Sequence, residues 1–339
     1  FGWVPNLYNW APTLILGVQV SIKAEPVVRR VFRARNKDRR GRINLPFSWV
    51  GSKVVVAPVD SHVVISREEY ERMKRLLKNS AVLIKLFGKL LNSSNGSKMF
   101  SIVSKTWNPV TGCLHGCKYC WARKLAETKL KNSHRYRRGF IPRINEREFN
   151  VKFNQGDFVF VSDMGDLFGN FIPREWILRV LAYIKKFPET YFLFLTKNPS
   201  RYAEFIEELP ENAILGMTIE TNKDDLYLEY KISGAPVPSV RYESFKRLDW
   251  DKKFISIEPI LDFDLEVFWR WIDEIKPILV YIGYDNYNQK LPEPPIMKTR
   301  QLISKLEKAS ILVIRKSIRS SWYETLNANF RKGEQHVLR

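Results

Sequence analysis

Thr111-Gly112-Cys113-Leu114-His115-Gly116-Cys117-Lys118-Tyr119-Cys120-Trp121-Ala122-Arg123 contains every cysteine of the 339-residue chain. No thiol remains elsewhere for a disulfide, so the whole supply sits in one short loop. Thiolates this close together either oxidise or bind a soft metal. A closed structural zinc site asks for four protein ligands, and the one further donor in the run is His115, cramped inside the same loop. A cubane iron-sulfur cluster is ordinarily held by four cysteines, so three would leave one iron open to a ligand that is not protein.

Downstream of this loop, apolar runs alternate with amphipathic stretches, as in βα units that build a parallel sheet. Strands are predicted near 102–107 and over 158–162, 191–195, 213–219, 254–257 and 278–282, with helices over 173–186, 200–209, 265–275 and 298–308. The spacing Cys113, Cys117, Tyr119, Cys120 resembles the CxxxCx-aromatic-C signature of the radical S-adenosylmethionine (radical SAM) superfamily. That resemblance implies an α/β fold with a partial (β/α)6 TIM-type barrel, a [4Fe-4S] cluster on Cys113, Cys117 and Cys120, and S-adenosylmethionine as its partner at the open iron.

Barrels of this kind carry their working residues on loops after the carboxyl ends of the strands. Polar groups follow the apolar runs here at Ser162-Asp163-Met164-Gly165-Asp166, Thr196-Lys197-Asn198, Glu220-Thr221-Asn222, Glu258-Pro259 and Gly283-Tyr284-Asp285-Asn286-Tyr287. Trp107-Asn108-Pro109, Leu195-Thr196-Lys197 and Ser256-Ile257-Glu258-Pro259 are similar to motifs of a phage-associated radical SAM branch related to spore photoproduct lyase. By that resemblance Asp163, Met164 and Gly165 would meet the amino group of S-adenosylmethionine and Tyr119 would present backbone to its adenine. Thr196, Lys197 and Glu220 would face its carboxylate and ribose. Glu258, Asp285 and Tyr287 are the candidates on the substrate side, with Tyr284 or Tyr287 able to return a hydrogen. Each has an ordinary structural reading as well. Asp163, Asp166 and Glu220 can cap helices, Lys197 can be a solvated charge, Glu258 can form an ion pair, and the tyrosines can pack in the barrel. His115 is expected beside the metal site rather than on it.

The chain lacks the further cysteines that sulfur insertion and one group of RNA methylases require, and the extra cysteine that spore photoproduct lyase uses as hydrogen donor. What the resemblance leaves is reductive cleavage of S-adenosylmethionine followed by hydrogen abstraction from a substrate, with protein groups positioning the reactants and excluding water.

Charge indicates the kind of substrate. The net charge is +20, distributed as +12 over residues 1–104, +9 over 105–152 and -1 over the remainder. Such a segregated excess is the footprint of a polyanion partner, and the basic stretch at 129–140 interleaves aromatics suited to stacking on unpaired bases. The expected partner is therefore a nucleic acid, and the radical SAM resemblance implies in addition an electron donor such as ferredoxin or flavodoxin. A non-catalytic, metal-stabilised nucleic-acid-binding or regulatory protein is the alternative.

Residues 1–98 read as a basic, β-rich module and linker, 99–319 as the barrel and 320–339 as a tail. Gly41-Arg-Ile-Asn-Leu-Pro46, Trp49-Val-Gly51 and Lys53-Val-Val-Val56 resemble AbrB-like swapped-hairpin DNA-binding domains over about 24–66. That likeness implies a homodimer through the module. A capping box at 66–69 opens a helix to about 78, and 92–97 is a linker. The apolar run at 10–20 is too short to span a membrane, so no membrane partner is expected. A cluster of this kind needs a reducing compartment, which makes the expected location cytoplasmic.

Overall fold

The computed structural model describes residues 100, 102–309 and 311–325. The AbrB-like segment, its dimer, the capping box, the linker and the end of the tail lie outside the described residues. The described strands are β1 (Lys105–Trp107), β2 (Val110–Thr111), β3 (Arg143–Ile144), β4 (Phe158–Val161), β5 (Tyr191–Thr196), β6 (Ala213–Thr218), β7 (Lys253–Ile257), β8 (Leu279–Ile282) and β9 (Leu312–Arg315). Seven of them form one parallel sheet in the order β1-β4-β5-β6-β7-β8-β9, while β2 and β3 form a small antiparallel pair. Helices α1 (Trp121–Glu127), α2 (Arg174–Ile184), α3 (Asp224–Glu229), α4 (Pro238–Arg247), α5 (Leu265–Ile275) and α6 (Ile296–Lys308) alternate with the strands. This is the expected α/β architecture, consistent with a partial TIM-type barrel.

Side-chain alternation along the strands produces two cores. Val159, Phe192, Phe194, Leu215, Met217, Ile255 and Val280 face outward and pack with the helices. Their neighbours Phe158, Phe160, Leu193, Ile214, Phe254 and Tyr281 face the other way and form a second cluster with Phe100 and Ile102. Parallel strands covered on both faces read as nearly continuous apolar runs, which is why they were visible in sequence. Gly216 makes room for this second cluster, since a Cβ there would stand 2.2 Å from the Phe254 ring.

The structure departs from the sequence reading in several places, among them the short pair β2–β3 and the helix α1, which the pattern did not mark. β9 adds a seventh strand to the six expected, at the sheet edge, where its side chains are only half-buried and its apolar pattern is correspondingly short. The segment expected as a helix over 200–209 is a 3-10 helix, Pro199–Phe205. Two helices, α3 and α4, occupy a stretch where the pattern marks none. α4 buries Arg241 alongside Tyr242 and Phe245, and a cation on the buried face hides the helical periodicity.

Among the described residues, no helix is long and apolar enough to cross a membrane. Phe254 sits fully buried in the second cluster. Phe254→Ala should cost about 3–5 kcal/mol of stability, measured by urea unfolding. A loss below about 1 kcal/mol would show that the cluster is not packed as described.

Candidate functional site

The cysteine loop has little regular structure of its own, and its shape is imposed by neighbours. Gly112 has φ 88° and forms a parallel bridge with Gly165, and its amide donates to Met164 O at 2.9 Å. A Cβ on Gly112 would lie 2.1 Å from Ile141 O, and one on Gly165 3.0 Å from Gly112 O. Two glycines are required because two backbones touch. The Cys113 amide donates to Phe140 O at 3.1 Å and that of Lys118 to Ile232 O at 3.0 Å. Cys120 caps α1, its Sγ accepting from Arg123 N at 3.3 Å, and the Arg123 guanidinium donates to Cys113 O at 3.0 Å.

His115 is buried, and its Nε2 lies 3.0 Å from Asp166 Oδ2. Asp166 caps no helix. It accepts instead from the amides of Phe168 at 3.1 Å and Lys197 at 3.0 Å, joining the loop to the end of β5. Burial alone would raise the Asp166 carboxyl, yet His115 and the Lys197 amide hold it below its ordinary value. The His115 ring is thus engaged by a carboxylate beside the thiols.

Tyr119 enters a cage that sequence reading did not foresee. Its hydroxyl donates to Glu220 and accepts from Lys197, and Lys197 Nζ also bonds Glu220 Oε1. Arg241 Nη2 stands 2.9 Å from Glu220 Oε2, and both groups are fully buried. Arg241 Nη1 further donates to Thr218 O at 2.6 Å. Burial would push the Glu220 carboxyl up, but Arg241 and then Lys197 outweigh it and hold it at about 2. Burial, followed by the nearby Glu220 charge, drives the Tyr119 phenol well above its ordinary value. Two cations against one carboxylate leave the cage with a surplus positive charge. No sequence motif announced Arg241; a cation at a position where helix periodicity calls for an apolar residue was the available signal.

The Asp163–Gly165 turn is set by Asn108, whose Oδ1 accepts Met164 N at 3.0 Å and whose Nδ2 donates to Asp163 Oδ1 at 2.5 Å. Burial nevertheless raises the Asp163 carboxyl above its usual range. Met164 belongs to a small buried cluster, with Ala122, Ala126, Tyr136 and Phe140, against which Cys113 and Cys120 pack. Thr196 Oγ1 accepts from Asn198 N at 2.9 Å, within the turn after β5. After the adjacent strand β7, Glu258 pairs with Lys316 at 2.9 Å and accepts from Ser256 at 3.1 Å. Burial raises its carboxyl despite both partners. Gly283 leaves space there, since a Cβ would lie 3.4 Å from Glu258 Oε1.

Other candidates have structural work. The Asp285 carboxylate accepts the amides of Tyr287 at 3.0 Å and Gln289 at 2.6 Å, shaping its own loop. Tyr284 is buried, its hydroxyl 3.0 Å from Pro294 O and 2.7 Å from Thr299 Oγ1. Tyr287 is exposed, with Lys124 Nζ 5.1 Å from its ring centre.

The three thiols suit a multi-iron group. Burial and then Asp166 push the Cys113 thiol up, with Cys117 and Cys120 adding to the effect; burial likewise raises Cys120, and Cys117 adds. Sulfurs within electrostatic reach of one another favour a cationic centre that lets them ionise together. Among the described residues, no three His, Cys, Asp or Glu side chains converge on a point sized for a single ion. A cubane asks for less convergence, because each cysteine ligates a separate iron.

A family model described as "Protein of unknown function (DUF5131)" matches residues 98–275. No curated protein matches the chain. Among solved structures, spore photoproduct lyase complexed with dinucleoside spore photoproduct is similar at 12% identity and TM-score 0.41, over 64% of this chain and 63% of that one. Streptococcus suis SuiB bound to precursor peptide SuiA is similar at 12% identity and TM-score 0.41, over 80% and 59%. SuiB bound to S-adenosylmethionine gives 12% and 0.41, over 75% and 57%. The chain spans less than two thirds of the length of these structures.

The cage yields a pH prediction. A carboxyl depressed on folding stabilises the folded state above its ordinary value of 4.5, and that contribution is lost as pH falls through about 2. Glu220→Gln should therefore flatten the fall in urea midpoint across this window. Arg241→Met should cost about 3–5 kcal/mol, because it leaves a buried charge short of a partner. An unchanged acid limb in the Gln variant would contradict the cage.

Proposed function

Because this chain belongs to the family described as "Protein of unknown function (DUF5131)", whose match covers over half of its length, we propose a function from the site itself: a radical SAM enzyme acting on a nucleic acid or a nucleic-acid-associated substrate. The observation that carries the proposal is the loop holding all three thiols, fixed at the carboxyl ends of a parallel sheet by the Gly112–Gly165 bridge, the His115–Asp166 pair and the Tyr119–Glu220 bond. Cys113, Cys117 and Cys120 would hold a [4Fe-4S] cluster. When bound, that cluster supplies the electron that cleaves S-adenosylmethionine to methionine and a 5'-deoxyadenosyl radical.

The residues of the chain bind, orient and exclude water. Asp163, Met164 and Gly165, ordered by Asn108, would receive the amino group of S-adenosylmethionine, and the Tyr119 backbone its adenine. Thr196, Lys197 and Glu220 line the side of the carboxylate and ribose, where the surplus charge of the cage suits an anionic group. Glu258, with Lys316, is the substrate-side carboxyl, and its raised proton affinity suits a group that holds and passes a proton. Tyr287, exposed at the rim, is the remaining aromatic available to substrate.

Exposed Lys118, Lys124, Lys129, Lys131, Arg137 and Arg138 follow one another from the cysteine loop through α1 and beyond it. Among the described residues none of them is paired with a carboxylate, whereas the neighbouring Arg135 meets Glu148. This run of exposed cations, continuous in sequence with the cysteine loop, supports a polyanion partner. The same reading assigns the N-terminal module to nucleic-acid binding as a homodimer, an electron donor such as ferredoxin or flavodoxin, and a cytoplasmic location.

Anaerobically reconstituted protein, reduced with dithionite and given S-adenosylmethionine, should release 5'-deoxyadenosine, and Cys117→Ala should release none. Iron-free protein that binds nucleic acid and releases no 5'-deoxyadenosine would establish the non-catalytic binder instead. Oligonucleotide affinity should fall steeply with salt. Lys129→Glu with Arg137→Glu and Arg138→Glu should reduce the log-log slope by about one for each phosphate no longer neutralised, and an unchanged slope would remove these cations from the interface.

A further inference from the structure

The loop over Lys231–Ala235 is more than a hundred residues from the cysteines in sequence and lies directly along them. Lys231, at φ 46°, turns the chain after α3. Ile232 O then accepts the Lys118 amide, and Gly234 N donates to His115 O at 2.6 Å. A side chain at Gly234 would press on that carbonyl, its Cβ 3.3 Å from His115 O. Ser233 sits between these two backbone bonds. Its Oγ accepts from Ala235 N at 3.1 Å and lies 3.0 Å from His115 O and 3.1 Å from Cys117 Sγ.

A hydroxyl has one proton to give, and Ser233 faces the His115 carbonyl and the Cys117 sulfur, with the buried Tyr227 hydroxyl, itself able to donate, as a third neighbour. His115 O is already served by Gly234 N, so it does not depend on the serine. While Cys117 is a free thiol it can donate to Ser233 Oγ, leaving the serine proton for His115 O. A sulfur bound to iron has no proton and can only accept. The 3.1 Å approach is then a hydrogen bond only if the hydroxyl turns toward sulfur.

We propose that in the cluster-loaded protein Ser233 donates its hydrogen bond to the sulfur of Cys117 and thereby raises the reduction potential of the cluster. This rests on the radical SAM reading above. A donor aimed at a ligating sulfur stabilises the electron-rich state, and hydrogen bonds to sulfur are among the determinants of cluster potential. Cys120 has a donor too, the Arg123 amide, but that one belongs to the backbone of α1. Ser233 is a positioning residue outside the ligand set, whose donor a substitution can remove.

The test compares wild type, Ser233→Ala and Ser233→Thr after anaerobic reconstitution, reading iron and sulfide content and then the midpoint potential by EPR-monitored titration. Ser233→Ala should load to the wild-type level and titrate at lower potential, with Ser233→Thr close to wild type. Loss of iron from the Ala variant that Thr restores also supports the hydroxyl bond. A fully loaded Ala variant with the wild-type potential, or loss of iron from both variants, overturns this inference alone. Wild-type protein that takes up no iron overturns the radical SAM reading and this inference with it.

Discussion

The carboxylate of Glu220 is the constraint around which the mouth of the sheet is arranged. It has no exposed surface, and an ion taken out of water costs several kcal/mol unless charge and hydrogen bonds replace hydration. Here the replacement comes from three parts of the chain: Lys197 after β5, Arg241 on α4 and Tyr119 between two cysteines. None of these partners could leave without exposing the carboxylate's cost. The cage is thus better understood as a device of position than of net stability. It binds the aromatic residue of the cysteine motif to two strand ends, which gives a physical reason for an aromatic with a hydroxyl at that place in the loop.

The end of the neighbouring strand β7 is organised differently. Glu258 has one cation, Lys316, and one hydroxyl, Ser256, and its carboxyl is shifted upward by burial, whereas that of Glu220 is shifted downward. Two carboxylates at strand ends of one sheet are therefore tuned in opposite directions by the number of cations each can reach. One is fixed as an anion and holds structure. The other has a carboxyl whose proton affinity burial raises despite Lys316 and Ser256.

The strands were legible because both of their faces are buried, so that runs such as Phe158–Val161 and Leu279–Ile282 are apolar throughout. α5 was legible to its ends, with Asp264 as its cap and an apolar face on Phe268, Ile272 and Ile275. α4 was not, because its buried stripe includes Arg241 in service of Glu220. The thiols, Asp163–Gly165, Lys197, Glu220 and Glu258 could be picked out as polar groups after apolar runs. Their partners could not, since Arg241, Ser233 and Lys316 come to the site through tertiary contacts that leave no local pattern. Asp285 drew notice by the same rule as Glu258, and its carboxylate also accepts two backbone amides of its own loop.

The loop that carries the thiols also depends on such tertiary contacts. Between Gly112 and Cys120 its regular features are a bridge to Gly165 and a turn before α1, so its conformation is borrowed from the Asp163–Gly165 turn, the Asp166 carboxylate, the Lys231–Ala235 loop and the Glu220 cage. The first two of these follow β4, the Lys231–Ala235 loop follows α3, and the cage takes Lys197 from the end of β5 and Glu220 from the end of β6, so the loop takes its shape from several neighbouring strand ends. Burial and mutual proximity meanwhile work against ionising Cys113 and Cys120 together. A cation able to bind them as thiolates would therefore bind a loop already shaped by the fold and repay its electrostatic cost.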